Sequence, residues 1–266
     1  MKIVNNQEIL SKKFARQEEL KKKGLQISAG GDAVHVGKIS PGCADCFFAK
    51  LDAGMGFSHF VGTTCNLHCP YCFYGDGIGV DRVDEMQFNG QLAQVYHASL
   101  DKNWQTFLCS YNSFGETFLN LDYFERLARY AKGRSLYTKI YTNGTLAHKE
   151  NLKRVQDMGV EEIRFHPSAS QFSETVYDNM YEAAKMGFRV VVEEPAWPLH
   201  KQQLIKMLPT LDNIGVRHVQ ICELELYAQN VQKILNWYPE GTFYKYHQYP
   251  VSAEELGSNS FEFLFL

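Results

Sequence analysis

Hydrophobic and polar positions along this chain follow two periods in turn. Six stretches read as strands: FSHFVGTT (57–64), QTFLCSYN (105–112), LYTKIYTN (136–143), EEIRFHP (161–167), FRVVVEEP (188–195) and RHVQICELEL (217–226). They are rich in β-branched and aromatic residues, which suit a pleated, packed surface. Between them the period lengthens. LDYFERLARYAK (121–132), HKENLKRVQDMG (148–159) and TVYDNMYEAAKMG (175–187) are amphipathic helices, and the last two stop at a glycine. Each strand-plus-helix unit takes about 28 residues, close to a βαβ crossover unit. The alternation predicts an α/β fold with a parallel sheet and helices outside. Six units fall short of the eight that close a full barrel, so a partial (β/α)6 TIM-like barrel is expected, open on one side.

The flanks read differently. Residues 6–23 form a charged helix whose basic end, Lys21 to Lys23, reads as a solvated face or a binding patch. A short strand, AVHVGKI (33–39), follows, and Pro41-Gly42 turns the chain. The expected organisation is an N-terminal extension (1–56), the barrel (57–230) and a C-terminal extension closing it (231–266). The apolar tail FEFLFL (261–266) reads as packing against the barrel's open side, or as a partner or lipid contact.

Ligands of parallel α/β folds gather at the C-terminal ends of the strands. Here those ends read TTCNLHCPYC, NSFGETF, TNGT, RFHPSAS, VEEPAWP and CELELYAQN, whereas the opposite ends are plain. Composition changes this picture little. The 266 residues are 45% apolar and 21% charged with a net charge of −3, an ordinary globule with no general pull toward nucleic acid or anionic membrane. No run approaches the roughly 18 apolar residues of a membrane span, and the polar N-terminus lacks a secretory signal, so a cytoplasmic location is expected.

The cysteines change it most. There are seven, and five of them fall within 30 residues, at Cys43, Cys46, Cys65, Cys69 and Cys72. Clustering in a reducing compartment points to metal or catalysis rather than disulfides. Cys65, Cys69 and Cys72 follow the first barrel strand at i, i+4 and i+7. Structural zinc wants a fourth ligand, usually from a second paired unit. A cubane cluster held by three cysteines instead leaves one iron open to a small molecule.

Cys65-x3-Cys69-x2-Cys72 resembles the signature of the radical S-adenosylmethionine superfamily. PGCADC, RFHP, VVVEEPAWP and CELELYAQN, in that order, are similar to a branch related to pyruvate formate-lyase activating enzymes. The resemblance implies a [4Fe–4S] cluster on the three cysteines whose open iron chelates S-adenosylmethionine. An electron from the reduced cluster then breaks the sulfonium C–S bond, giving methionine and a 5′-deoxyadenosyl radical that abstracts hydrogen from substrate. It places Tyr71 beside the adenine. SFGETF (113–118) resembles the family's Gly-Gly-Glu segment, which binds the amino group: Phe114 replaces its first glycine, and Ser113, Gly115 and Glu116 are the candidates. Asn143, in TNGT, either reaches the site or caps a turn. Ser168 and Glu194 are candidates for the ribose hydroxyls, against a helix cap and a solvated carboxylate.

Other residues admit more than one reading. Cys43 and Cys46 form a C-x2-C pair that binds a second metal, acts as redox thiols, or packs as small hydrophobes. Cys109 and Cys222 lie in apolar runs and read as core. Arg164 and His166 share a face of the fourth strand and suit a substrate carboxylate or phosphate. Glu223 and Glu225 share a face of the sixth and suit an amine or a proton relay, or lie exposed. The expected activity is hydrogen abstraction from a small-molecule or peptide substrate, with an external one-electron donor such as flavodoxin or ferredoxin. The rivals are a glycyl-radical enzyme activase acting on a protein partner, a tRNA-modifying enzyme supported only by the basic helix, and a zinc-stabilised binding module.

Overall fold

The computed structural model describes residues 2–4, 6–27, 34–37, 55–60, 62, 64–72, 89–90, 92–93, 107–112, 115–133, 137–222, 224–226, 230–237, 239, 242–245 and 256–258. Its centre is a six-stranded parallel sheet, β1 (Met55–Phe60), β2 (Phe107–Asn112), β3 (Tyr137–Thr142), β4 (Glu162–Phe165), β5 (Arg189–Pro195) and β6 (His218–Cys222), in sequential order. The registers are parallel throughout, with Lys139 opposite Glu162, Arg164 opposite Val191 and Glu193 opposite Gln220. Among the described residues the full helices α1 (Leu121–Lys132), α2 (Lys149–Met158), α3 (Glu174–Lys185) and α4 (Lys201–Ile214) cover it. This is the partial TIM-like barrel that the periodicity predicts.

Strand alternation divides the barrel into two unlike interiors. Ile140, Ile163, Phe165, Val190 and Val192 face outward and pack with Leu127, Leu152, Val155, Val176, Met180 and Leu211 of the helices, all buried. The opposite face is polar. Lys139, Glu162 and Arg164 are almost wholly buried there. Arg164 donates from Nε to Glu162 Oε1 at 2.7 Å and from Nη1 to Gln220 Oε1 at 3.0 Å, and it also pairs with Glu193. Gln220 lies two strands away from Arg164, a reach that needs a curled sheet. Tyr137 Oη completes the group by donating to Glu162 at 3.0 Å. Buried charges persist only when paired and hydrogen-bonded in this way.

Two elements depart from expectation. Helix α4 escapes the periodic reading because Pro209 sits inside it, where it removes a donor. The flanking Ile205 and Leu208 are exposed, so water can serve the freed carbonyl. The run 217–226 is two strands, not one. β6 ends at Cys222, and Leu224 turns in to pack with Trp197 and Ile234 in a second small core. Glu225-Leu226 then joins a separate sheet, pairing antiparallel with Leu256–Ser258. That sheet continues through Thr242–Lys245, antiparallel, to Lys2–Val4, which pairs parallel at its edge. The N-terminal helix spans Asn6–Lys22 and buries Gln17 and Leu20. Its cations Arg16, Lys21 and Lys23 pair with Glu18 and Glu19, as a solvated face does. Of the short strand expected at 33–39, the described residues show Val34-His35. Among the described residues no helix is long and apolar enough to cross a membrane. Cys43, Cys46 and the tail 261–266 lie outside the described residues.

Candidate active site at the strand ends

The loop after β1 carries Cys65, Cys69 and Cys72, closed locally by a bond from Cys72 N to Cys69 O at 3.1 Å. All three line one cavity of about 420 Å³ with Tyr141, His166, Glu193 and Glu194. Cys65 is exposed; Cys69 and Cys72 are half-buried. Burial pushes the Cys65 thiol up and the Cys69 thiol up to about 12, so both are protonated here, and ligation must release those protons. Among the described residues no three His, Cys, Asp or Glu side chains converge on a point where one ion would sit. Three thiols spread around one cavity suit a larger group, such as a cubane cluster.

The wall beside Cys65 is tied down by Glu116, which is completely buried. Its backbone N–H donates to Thr64 O at 2.8 Å, gripping the start of the cysteine loop. Its carboxylate accepts from Phe118 N at 3.0 Å, Thr142 Oγ1 at 2.8 Å and Asn143 N at 2.7 Å. Burial pushes its pKa up, and these three donors oppose that shift. Glu116 therefore lies behind the wall, and its neighbour Gly115 lines the cavity. Asn143 follows directly after β3. Its Nδ2 donates to Asn66 Oδ1 at 2.9 Å and approaches Cys65 Sγ at 3.9 Å. The turn needs Gly144, whose φ is +82° and where a Cβ would meet Val176 Cγ1 at 2.7 Å.

On the opposite side Tyr71 Oη and Ser168 Oγ are 2.7 Å apart. Ser168 donates its N–H to Glu194 Oε1 at 2.8 Å and its hydroxyl to Oε2. Ser168 and Glu194 are both buried, and burial pushes the Glu194 carboxyl up to about 8. The Tyr71 ring lies 6.2 Å from that of Trp197 and 6.1 Å, edge-on, from that of His200. Asn230 holds the Tyr71 carbonyl at 3.1 Å. At the floor, His166 stacks on Tyr141 with centroids 6.1 Å apart, and burial holds its imidazole below the usual histidine range.

The structure thus brings Cys65, Cys69, Cys72, Tyr71, Gly115, Asn143, His166 and Glu194 to one cavity, with Ser168 behind Glu194. It sets Arg164 elsewhere. That guanidinium is spent on Glu162, Glu193 and Gln220 beneath the floor and does not face a substrate. Glu225 lies not on β6, which spans His218–Cys222, but in the second sheet. Glu223 and Ser113 lie outside the described residues. Cys222, read as core, is half-buried and lines the cavity with Tyr141, Thr142 and Glu193. Strand alternation holds the signal for three of these: Tyr141, Glu193 and Cys222 share the inward face of Arg164 and His166, with Tyr141 opposite Arg164 and Glu193 and Cys222 successively nearer the mouth.

The family model of the radical SAM superfamily matches residues 60–193, from the end of β1 into β5. The chain belongs to the radical SAM superfamily. As a radical SAM enzyme it uses a [4Fe–4S] cluster and S-adenosylmethionine, and this membership sets aside the zinc-stabilised binding module. A protein of Methanocaldococcus jannaschii, provisionally named a glycyl-radical enzyme activating enzyme, is 23% identical over 210 residues, covering 74% of this chain and 53% of that one. The chain therefore spans about half the length of the curated relative it matches. In fold it resembles anSMEcpe with bound AdoMet and Cp18Cys peptide, with a TM-score of 0.52 and 14% identity over 70% of this chain and 59% of that one. The same enzyme with AdoMet and Kp18Cys peptide gives a TM-score of 0.50 and 15% identity over 62% and 51%.

Proposed function

We propose that this radical SAM enzyme holds its cluster on Cys65, Cys69 and Cys72 and abstracts hydrogen from a small-molecule or peptide substrate. When bound, the cluster and S-adenosylmethionine supply reductive cleavage of the sulfonium bond, and with it the hydrogen-abstracting radical. The observation that carries this reading is that all three thiols open onto the cavity that also receives the ends of β3, β4 and β5.

The chain's own residues divide the remaining work. Tyr71, backed by Trp197 and His200, offers an aromatic edge for a purine. Glu194, held by Ser168, presents a buried carboxyl able to accept from a ribose hydroxyl. Gly115 leaves backbone uncovered beside the cysteines, where the methionine amino group would lie. His166 and Glu193 at the floor meet the substrate, the imidazole kept neutral by burial. An external one-electron donor such as flavodoxin or ferredoxin reduces the cluster.

The test is anaerobic reconstitution with iron and sulfide, reduction, and measurement of 5′-deoxyadenosine formed from S-adenosylmethionine. Wild-type protein is expected to form it, and Cys69→Ala to lose both cluster and product. A fully loaded, reduced protein that forms none counts against the proposal. The relative from Methanocaldococcus jannaschii favours a second reading, a glycyl-radical enzyme activase whose substrate is a protein. A glycyl radical left in a protein partner separates this reading from turnover of a small molecule.

A further inference from the structure

Asn143 occupies a position whose hydrogen bonding leaves one group to account for. Its Oδ1 accepts from Thr145 N at 3.0 Å and from Thr145 Oγ1 at 2.7 Å. A backbone N–H can only donate, so this contact fixes which end of the amide is oxygen. Nδ2 therefore points toward the cysteine loop. One of its hydrogens goes to Asn66 Oδ1 at 2.9 Å. Asn66 Nδ2 in turn donates to Thr145 Oγ1 at 2.9 Å, and that hydroxyl donates back to Asn143. The three side chains close a ring in which each bond has one donor and one acceptor. The second Asn143 amide hydrogen lies outside the ring, and the atom before it is Cys65 Sγ at 3.9 Å.

The ring is anchored from behind. Asn143 N donates to Glu116, whose own N–H grips Thr64 beside Cys65. Asn143 thus has a fixed backbone, a fixed amide orientation and a single spare donor. The same sulfur receives the Leu67 backbone N–H. An N–H directed at a ligating thiolate stabilises the more negative, reduced state of a cluster over the oxidised one, and outer groups of this kind orient the ligand as well.

We infer that Asn143 is a positioning residue for the cluster, donating its spare amide hydrogen to Cys65 so as to orient that ligand and raise the cluster's reduction potential. The inference rests on the proposed ligation by Cys65. It assigns to the end of β3 a task distinct from contact with S-adenosylmethionine, and it makes Asn66 a support for Asn143.

The test uses the full chain reconstituted anaerobically as wild type, Asn143→Ala, Asn143→Asp and Asn66→Ala. Iron per chain is measured first, then the midpoint potential by EPR-monitored titration. Asn143→Asp keeps an acceptor for Thr145 and replaces the donors with an anionic oxygen, so it shows whether the chain folds and loads without the amide, while Asn143→Ala isolates the loss of the donor. Asn143→Ala is expected to lower the equilibrium constant for reduction about tenfold, which is about 59 mV for one electron, and Asn143→Asp, with its added negative charge, by more. Asn66→Ala, which opens the ring but leaves the N–H in place, is expected to shift it less than either. Wild-type potential in a fully loaded Asn143→Ala overturns the inference and leaves the ligation standing. A wild-type chain that takes up no iron–sulfur cluster overturns the ligation by Cys65 and the inference with it.

Discussion

Replacing Glu116 with alanine removes the acceptor of three buried donors at once: Phe118 N, Thr142 Oγ1 and Asn143 N. Each stranded donor costs about 1–3 kcal/mol. The Thr142 hydroxyl already accepts from Gly144 N at 2.9 Å, so its own hydrogen has no ready second partner. A further cost comes from the cavity left by the side chain. Against this stands relief of the burial that pushes the carboxyl pKa up. The net expectation for Glu116→Ala is a loss of about 3–6 kcal/mol, a large part of the stability of an ordinary domain. Glu116→Gln keeps one oxygen but turns an amide against one of the donors, so it should cost about 1–3 kcal/mol. Urea denaturation of the metal-free chain, read from the midpoint at constant slope, measures both. Stability within 1 kcal/mol of wild type for Glu116→Ala would refute the reasoning. So would a stable variant whose defect is confined to binding of S-adenosylmethionine, since Glu116 would then act on the ligand directly.

Arg164→Met should lose about 3–5 kcal/mol, because it takes the buried cation away from the Glu162 and Glu193 carboxylates, and adding Glu162→Gln and Glu193→Gln should restore part of it; wild-type stability in the single variant contradicts this. Glu194 titrates near 8 in the folded chain, above the roughly 4.3 of an unfolded glutamate, so its proton is held more tightly when folded. The matching stability is complete below about pH 4 and is lost as the pH rises through about 8. Glu194→Gln should therefore flatten Tm against pH across that window, and an unchanged slope would show that another group sets it.

The sequence disclosed those parts of this site that depend on residue type at a spacing, and hid those that depend on depth. Cys65, Cys69 and Cys72 declare themselves because few chemistries want three thiols at that spacing, and all three reach the cavity. Ser168 and Glu194 stood at strand ends and are joined to each other there. Alternation placed Arg164 and His166 on one face, correctly, but it says nothing of height along the barrel. His166 is one layer nearer the mouth and lines the cavity; Arg164 is one layer deeper and holds the floor. Cys222 looked like core because it sits in a strand run with Val219, Ile221 and Leu224, yet it is half-buried and lines the cavity as the last residue of its strand. The break after Cys222 was invisible because Leu224 is as apolar as a strand residue. What diverts it is Trp197, a contact between distant parts of the chain. Helix α4 was concealed by Pro209, a local breaker overruled by the packing of Leu204, Met207 and Leu211 against the sheet.

The parallel pairing of Lys2–Val4 with Thr242–Lys245 bears on the order in which the molecule assembles. Lys2–Val4 has no partner at this sheet edge until the ribosome has passed Thr242, 240 residues further on, a wait of about 10–50 s at ordinary rates of translation. Through that interval the six barrel strands can dock each on its predecessor, since every neighbour in that sheet is also the next in sequence. The Lys2–Val4 pairing closes the longest loop among the described strand pairs, which makes it late to form and, by the same entropy, among the first to open. The barrel that carries the three thiols can thus be complete, and ready to accept a cluster, while Lys2–Val4 and Thr242–Lys245 are still apart.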